Sequence, residues 1–174
     1  MYVRPAKTED LHSIMDIIAS ARQLLAQDGS DQWQNGEGPN EEILKADIDK
    51  QWCQLLIHEN KIIGTATLMT EADPFYQEIY VGHWLYPDQP YTTIHRLALD
   101  PSVRGQGISR NFVSHLLTLS LNQGYHFVRI DTHPKNRRLQ ALAASLGFIQ
   151  SGIIYVAEKP KGLRYVYEKA LENN

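Results

Sequence analysis

The stretch LALDPSVRGQGISRNFVSHLL, from Leu97 to Leu117, joins two kinds of sequence through a glycine-rich turn. Residues Thr93–Leu99 predict a strand, and the residues from Ile108 onward predict a helix. The turn Arg104–Gly107 has few side chains, so it leaves the helix N-terminus open, where unpaired N–H groups and the helix dipole favour an anion. The pattern therefore predicts a phosphate-binding loop. The alternative is a plain strand-to-helix connection whose glycines satisfy only turn geometry.

The composition is that of one globular domain, which we expect to span residues 1–174. The chain is 43% hydrophobic, and its net charge of −3 gives no reason to expect nucleic acid or an anionic membrane as a partner. The single cysteine, Cys53, excludes an intrachain disulfide and favours a reducing cytoplasm, and its apolar neighbours predict that it is buried. No zinc-type spacing of Cys and His residues occurs, so we expect no metal.

Apolar residues follow helical and strand-like patterns along most of the chain. Helices are predicted after the candidate N-caps Thr8 and Asn40, from Ile108, and around Leu139–Leu146. Strands are predicted at Tyr2–Pro5, Trp52–His58, Lys61–Met69, Thr93–Leu99 and His126–Thr132, and at about 148–157 and 163–169, on either side of a turn at Lys159–Gly162. Residues 70–92, with three prolines and six aromatic residues, fit neither pattern. This order of elements predicts a mixed α/β layered protein.

Two familiar phosphate motifs do not fit the turn. A P-loop requires Gly-x-x-x-x-Gly-Lys-Ser/Thr, which the chain lacks. A dinucleotide fingerprint requires a third glycine at the position of Arg110, and it normally lies in the first strand–turn–helix unit of a parallel sheet. Here the turn follows strands whose short connections predict antiparallel pairing, so NAD and FAD are disfavoured.

The turn resembles a different anion-binding loop. Arg104–Ser109 is similar to the Gln/Arg-x-x-Gly-x-Gly/Ala loop of the GNAT superfamily of acyl-CoA-dependent N-acyltransferases, where the loop holds the CoA pyrophosphate. Ser109 stands where Gly or Ala is usual, a small change that matters little because the anion is expected to bind backbone N–H groups. Further similarities follow in the family's order along nearly the whole chain: Val3–Ala6 with Thr8–Leu11, Leu97–Leu99, His133–Asn136, and Gly147-Phe148 after Asn136.

The resemblance implies a fold and a cofactor. The expected fold is a central mixed, mostly antiparallel sheet of about seven strands with about four flanking helices, splayed apart at its central strands. Acetyl-CoA would bind at the splay with its pantetheine arm inserted like an extra strand, and no metal would be required. The residues that would hold CoA are Leu97, Ala98, Leu99, Arg104, Gly105, Gln106, Gly107, Ile108, Ser109 and Asn136. Asn136 is also a candidate N-cap for the helix that follows it.

The resemblance also implies a reaction, in which the primary amine of a small molecule or peptide attacks the thioester directly and takes the acetyl group. The N–H of Leu99 would bind the thioester oxygen. His95, on the central strand, is the first candidate for the general base, and the alternative is a strand histidine held in place by a hydrogen bond. Asp131 is the next candidate, unless it only pairs with Arg129 or Arg96.

One residue that the family often carries is absent. A tyrosine seven positions after the asparagine commonly acts as general acid to the departing thiolate, but Ala143 occupies that position here. Ser145, Tyr155 or water could supply the proton instead. Because a thiol of pKa about 8.5 ionises readily near neutral pH, the change weakens the case for catalysis without removing it. It favours, as the alternative function, an acyl-CoA-binding sensor or scaffold without turnover.

The sequence indicates less about the residues that would bind the amine acceptor. By resemblance, the segment after the first helix and the late hairpin would frame the acceptor pocket, which points to Gln32, Trp33 and Tyr155, with the aromatic residues of 75–91 as further candidates. Tyrosines on strands also pack half-buried without a binding role. The acceptor is expected to be a small molecule or a peptide, and the sequence leaves open whether the protein is a homodimer.

Overall fold

A computed structural model describes residues 1–157 and 162–171 of the chain. Within these residues the chain forms four α-helices on the two faces of one eight-stranded sheet, in agreement with the expected mixed α/β fold. The helices are α1 (Leu11–Gln27), α2 (Glu41–Asp49), α3 (Ile108–Asn122) and α4 (Arg137–Ser145). The strands are β1 (Tyr2–Pro5), β2 (Cys53–His58), β3 (Lys61–Met69), β4 (Val81–Gly82), β5 (Tyr91–Leu99), β6 (Phe127–Thr132), β7 (Ile149–Tyr155) and β8 (Leu163–Ala170).

The sheet is open in its middle. Its strand order is β1-β2-β3-β5-β6-β8-β7-β4, and β5 and β6 are its only parallel neighbours among the described strands. The pairing of β5 with β6 covers only Tyr91–Thr93 against Phe127–Arg129, although β5 continues to Leu99 and β6 to Thr132. The two strands therefore separate towards their C-terminal ends, which confirms the expected splay. The eighth strand, one more than expected, is the two-residue β4.

A β-bulge in β5 changes the direction of its side chains beside this gap. Arg96 and Leu97 together oppose a single residue of β3, and Arg96 has a φ of 55°, a left-handed backbone conformation that bulges accommodate. Ile94 packs on the α3 side of the sheet, so His95 points to the side of α1 and α2. The bulge turns Arg96 to that side as well, where its guanidinium lies 3.0 Å from Asp47 of α2.

Two apolar cores lie on the two faces of the sheet. One is formed by α3 and α4 and is centred on Phe112 and Leu116, which are fully buried. The other is formed by α1 and α2 and includes Ile14 and Leu44. Burial of a side chain of this size contributes about 1.5–3 kcal/mol relative to exposure, so both helical layers are held firmly against the sheet around the gap.

A buried ion pair holds the segment 70–92, which no periodicity assigns to an element. Arg129 Nε on β6 lies 3.0 Å from Glu168 Oε1 on β8, and both side chains are almost completely buried. The Arg129 guanidinium packs against the rings of Trp84 and Tyr91, and Glu168 accepts a backbone N–H from the same segment. These contacts position the segment against β6 and β8, next to the gap.

One expectation about a helix terminus is wrong. Thr8 does not cap α1, because it opens a 3₁₀ turn, Thr8–Asp10, and α1 begins only at Leu11. The Asp10 carboxylate fixes this turn by accepting two hydrogen bonds from Arg4, at 2.7 and 2.8 Å, and a third from a backbone N–H. The chain end is thereby joined to the first helix by a side-chain pair that the sequence pattern does not reveal.

Two expectations about single residues are confirmed. Asn40 caps α2 by accepting the Ile43 N–H, and Cys53 is fully buried, where burial raises the pKa of its thiol to about 11. No helix in the described ranges is long and apolar enough to cross a membrane. The predicted turn at Lys159–Gly162 lies outside the described residues, apart from Gly162 itself.

Candidate functional site

The gap between β5 and β6 opens into a cavity of about 870 Å³. The cavity extends from the N-terminus of α3 along the edge of β5 to the end of β6 and the loop between α1 and α2. One residue predicted to hold the cofactor, Gln106, is not among the described residues that line the cavity. Its side chain is exposed and donates a hydrogen bond to the Ser102 carbonyl. All the other residues predicted to hold the cofactor line the cavity: Leu97, Ala98, Leu99, Arg104, Gly105, Gly107, Ile108, Ser109 and Asn136.

At one end of the cavity, two glycines shape the turn before α3. Gly105 and Gly107 have φ values of 76° and 73°, and a methyl group on either Cα would meet no atom within 4 Å. Arg110 and Asn111 donate to the Gly107 carbonyl, so the N–H groups before them point out of the helix end. This open space and these donors fit a phosphate group.

The edge of β5 presents backbone groups to the gap. The Asp100 N–H donates to the Ile63 carbonyl of β3 at 2.9 Å. Because successive residues of a strand direct their N–H groups to opposite sides, the Leu99 N–H points away from β3 and into the gap. No described strand pairs with Leu97–Leu99 on that side. The edge is therefore able to bind an extended ligand through the main chain.

The predicted base, His95, lies in the cavity wall between two carboxylates. Its Nε2 is within hydrogen-bond distance of Asp73 Oδ2, at 2.9 Å, and its Nδ1 is 3.5 Å from Asp131 Oδ1. The other oxygen of Asp73, Oδ1, accepts the Phe75 N–H, which fixes this carboxylate. When Nε2–H donates to Asp73, Nδ1 keeps a lone pair and can accept a proton. The hydrogen bond expected by one interpretation of His95 is thus present, and its role as a general base stays a prediction.

Asp131 is the centre of a second group of polar side chains. Its Oδ1 accepts a 2.8 Å hydrogen bond from the Tyr76 hydroxyl, and its Oδ2 lies 3.7 Å from Arg164 Nε. The expectation that Asp131 pairs with Arg129 or Arg96 is wrong, because both arginines pair with other carboxylates. Arg129 reaches across to β8, and the bulge in β5 directs Arg96 to α2.

Burial and charge shift three pKa values in this site. Burial raises the pKa of Asp73, but the hydrogen bond and the charge of His95 outweigh it, so the net shift is downward. Burial, together with the charge of Asp131, raises the pKa of Tyr76 well above its usual value, so Tyr76 stays a hydroxyl donor. Burial lowers the pKa of Arg164 against the attraction of Asp131. In the described part of the chain, no group of three His, Cys, Asp or Glu side chains is arranged to hold a metal ion.

Two of the three predicted acceptor residues lie on the opposite wall. Gln32 and Trp33, from the loop between α1 and α2, line the cavity, and the Asn136 side-chain amide donates to Gln32 Oε1 at 3.4 Å. Asn136 also caps α4 through its side-chain oxygen, as expected. Tyr155 is not among the described lining residues, and its ring packs edge-on against that of Tyr80, with the centroids 5.0 Å apart.

On α4, one arginine and two leucines line the cavity. Ala143, at the position of the missing tyrosine, is buried in the core on the α3 side. The Ser145 hydroxyl donates to the Leu142 carbonyl, and Ser145 is not part of the described lining. Arg138, Leu139 and Leu142 form this part of the wall instead. Among the described residues of this wall, α4 therefore offers no hydroxyl in place of the tyrosine.

Asp73 and Arg164 are not identified by the sequence analysis, and Tyr76 is included there only among the aromatic residues of 75–91 as an acceptor candidate. Asp73 and Tyr76 lie in the segment 70–92, where only the pair Asp73-Pro74 is a local signal, typical of a turn. Arg164 lies on β8, on the same face of the strand as buried Val166. The sequence signal that could have identified Arg164 is an arginine on the inward face of a predicted strand, which indicates a buried charge.

The fold and the sequence are similar to those of known proteins. A sequence profile of the acetyltransferase (GNAT) family matches residues 18–148. The crystal structure of a GNAT-family acetyltransferase from Streptococcus agalactiae has a TM-score of 0.90 and 29% identity, over 99% of this chain and 96% of that chain. A GNAT-family acetyltransferase from Listeria monocytogenes has a TM-score of 0.76 and 21% identity over 98% and 94%. The GphF GNAT-like decarboxylase in complex with isobutyryl-CoA has a TM-score of 0.70 and 17% identity over 99% and 100%. No curated protein matches the sequence.

Proposed function

Since the chain belongs to the acetyltransferase (GNAT) family, we propose that it transfers an acetyl group from acetyl-CoA to the primary amine of a small molecule or peptide. The observation that carries the proposal is the position of His95. Hydrogen-bonded to Asp73, it lines the same cavity as the open turn before α3 and the edge of β5. One cavity thus combines a site for an anion, a backbone hydrogen-bond donor and a group that accepts a proton.

The residues around the gap fit CoA. The N–H groups of Gly105–Ser109 would bind the pyrophosphate, and Arg104 in the cavity wall would add positive charge. The edge of β5 at Leu97–Leu99 would pair with the pantetheine amides, and Asn136 would contact the same arm. Acetyl-CoA, when bound, supplies an acetyl thioester, whose C–S bond breaks as the C–N bond to the amine forms. The open space beside the loop glycines supports this assignment, as does the likeness in fold to a protein that binds isobutyryl-CoA.

Two groups of the chain would act on the reacting atoms. The Leu99 N–H would donate a hydrogen bond to the carbonyl oxygen that gains negative charge during attack. His95 would receive the amine proton at Nδ1 while its Nε2–H stays bonded to Asp73. Asp131 Oδ1, 3.5 Å from Nδ1, then faces the new N–H. A base is the main requirement, because deprotonating a lysine-like amine of pKa about 10.4 at pH 7 costs about 4.6 kcal/mol.

The second candidate, an acyl-CoA-binding sensor without turnover, is favoured by Ala143. On α4, the residues that line the cavity are Arg138, Leu139 and Leu142, and none of them has a hydroxyl that could protonate a departing thiolate. Protonation of that thiolate is the smaller problem, however, since a thiol of pKa about 8.5 costs about 2 kcal/mol to ionise at pH 7. Water is sufficient for this step, and a sensor would have no use for the pair of His95 and Asp73.

A thiol-release assay over a panel of primary amines, combined with calorimetry of acetyl-CoA binding, separates the two functions. Transfer predicts that thiol release depends on the amine. The variant His95→Gln should lower kcat about 10²- to 10⁴-fold with an unchanged Kd for acetyl-CoA, because it removes only the proton acceptor. His115→Gln, on the exposed side of α3, is the matched control and should change neither quantity.

Two outcomes would contradict the proposal. Tight acetyl-CoA binding without release on any amine would favour the sensor. A rise in melting temperature with NAD but not with acetyl-CoA would show that the cavity holds a different cofactor.

A further inference from the structure

Arg164, on β8, is a buried cation that the proposed reaction does not use. Its side chain is 9% exposed and lies in the cavity wall. Nη1 donates to the carbonyl of the adjacent Leu163, and Nε is 3.7 Å from Asp131 Oδ2, too far for a hydrogen bond. No further hydrogen bond joins the guanidinium to a described residue. Most of its N–H donors thus make no hydrogen bond within the described part of the chain and can donate to a molecule in the cavity.

Arg129 shows how this fold satisfies a buried guanidinium elsewhere. Its Nε bonds to Glu168 at 3.0 Å, its Nη2 donates to a backbone carbonyl at 3.1 Å, and the rings of Trp84 and Tyr91 pack against it. Arg164 has weaker contacts: its Nε is 3.7 Å from Asp131, and although the charges of Asp131 and Glu37 attract it, burial lowers its pKa. Because neither carboxylate accepts a hydrogen bond from the guanidinium, a ligand that accepts its N–H groups would offset part of the cost of burying it.

Arg164 is separated from His95 by a single carboxylate. Asp131 lies between them, with Oδ1 at 3.5 Å from the imidazole Nδ1 and Oδ2 at 3.7 Å from the guanidinium Nε. The two oxygens belong to one carboxyl group, so the imidazole and the guanidinium are close together. A group bound to Arg164 from the cavity would therefore be adjacent to an amine held at His95.

We propose that the acceptor is an α-amino acid with an apolar side chain, its carboxylate bound by Arg164 and its amino group directed at His95. The inference rests on the proposed acetyl transfer. A carboxylate matches the planar fork of a guanidinium with two parallel hydrogen bonds. In an α-amino acid the amine and the carboxylate share one carbon, which matches the short separation of the two side chains. Leu24, Trp33 and Phe75 line the same cavity and provide an apolar surface for the side chain.

Matched acceptors that differ only at the carboxylate test the inference. We would measure kcat/KM for phenylalanine, phenylalaninamide and 2-phenylethylamine, and for the corresponding set built on leucine. The expected result is at least a 10-fold preference for the free amino acid over its amide, and a larger preference over the amine without any carbonyl group. Arg164→Met should abolish the preference, and Arg164→Lys, which keeps the charge, should retain part of it.

Binding of the acetylated products provides a second readout that does not require turnover. In the presence of CoA, N-acetylphenylalanine should bind at least 10-fold more tightly than N-acetyl-2-phenylethylamine, and R164M should remove the difference. The exposed Arg137, whose side chain contacts Gln140, provides the control variant Arg137→Met, which should retain it. Melting temperatures of all variants establish that they are folded.

The outcomes separate the inference from the proposed function. Equal rates on all three acceptors, unchanged in R164M and R164K, would overturn the carboxylate site while leaving acetyl transfer intact. Tighter binding of the carboxylate-bearing product, lost in R164M, would support the site even if no amine released thiol. Equal binding of the two products by a folded wild-type protein would overturn it.

Discussion

At the scale of single residues, the orientation of His95 depends on Asp73. The Asp73 carboxylate accepts a hydrogen bond from the imidazole and another from the Phe75 N–H, both at 2.9 Å. It therefore connects the ring to the backbone of the 3₁₀ turn Pro74–Tyr76, and it selects the tautomer in which Nδ1 is free to accept a proton. Its lowered pKa keeps it ionised at neutral pH. Asp73 is thus a positioning residue for the proposed base.

The variant Asp73→Asn should lower kcat about 100-fold, because a misplaced or wrongly protonated imidazole no longer meets the amine. The Kd for acetyl-CoA should not change, since the residues proposed to hold CoA lie elsewhere in the cavity. Steady-state kinetics and calorimetry measure the two quantities. Asp73→Glu keeps the carboxylate and should recover part of kcat. A D73N protein with wild-type kcat would show that the bond to His95 has no role in the reaction.

The pair of Arg4 and Asp10 makes a prediction about stability and pH. Hydrogen bonds from Arg4 lower the pKa of Asp10 below its usual value, against the opposing effect of burial. The resulting stabilisation is fully present above the unfolded-state pKa of about 3.9 and is lost as the pH falls through the lower folded-state pKa. Asp10→Asn should therefore lower the free energy of unfolding at pH 7 and have a smaller effect near pH 2.

Urea denaturation at the two pH values measures this difference. Asp16→Asn is the control, because Asp16 is largely exposed and its contact with His12 is 3.8 Å long. An equal loss of stability in D10N at both pH values would contradict the assignment of the lowered pKa.

At the scale of elements, α3 carries a glycine with a left-handed backbone at each end. Gly107 and Gly124 have φ values of 73° and 86°, and neither has an atom within 4 Å of an added methyl group. Substitution by alanine should cost each variant a similar free energy of unfolding, about 1–2 kcal/mol, because both positions impose the same backbone strain. Only Gly107 lines the cavity, so the two variants separate stability from ligand binding.

We expect Gly107→Ala to raise the Kd for CoA at least 10-fold and Gly124→Ala to leave it unchanged. Calorimetry gives the affinities, and urea denaturation confirms that the two variants are matched in stability. Unchanged CoA binding in G107A would show that the phosphates lie elsewhere.

The segment 70–92 is positioned by the ion pair of Arg129 and Glu168, and Asp73 depends on that segment. Arg129→Met leaves the Glu168 carboxylate buried without its partner, so it should lower the free energy of unfolding by about 3–5 kcal/mol. The exposed pair of Lys45 and Glu41 on α2 is the comparison, and Lys45→Met should cost less than about 1 kcal/mol. Urea denaturation measures both variants. Equal small losses would mean that the buried pair does not hold the segment.

At the scale of the whole molecule, the parts of the site predicted from the sequence are those made by local chemistry. The turn Arg104–Gly107 is recognisable because glycines, a preceding strand and a following helix lie together in the chain. The capping role of Asn136 follows in the same way from a polar residue directly before an apolar helical repeat. The turn and Asn136 both line the cavity at the gap in the sheet.

The parts that the sequence could not predict depend on contacts between distant segments. Asp73 and His95 are 22 residues apart in the chain and meet because the segment 70–92 packs beside β5, and no periodicity indicates that contact. The bulge at Arg96 likewise depends on pairing with β3, and it decides which carboxylate that arginine meets. Local patterns therefore predicted the open glycine turn before α3, whereas the groups around the proposed base required the assembled sheet.

A crystal structure of the protein with CoA would show whether the cofactor binds in the gap between β5 and β6. We predict the pyrophosphate against the N–H groups of Gly105–Ser109 and the pantetheine arm along Leu97–Leu99, with its sulfur end towards His95. Phosphates bound away from the α3 N-terminus, or a pantetheine arm outside the gap, would contradict the account.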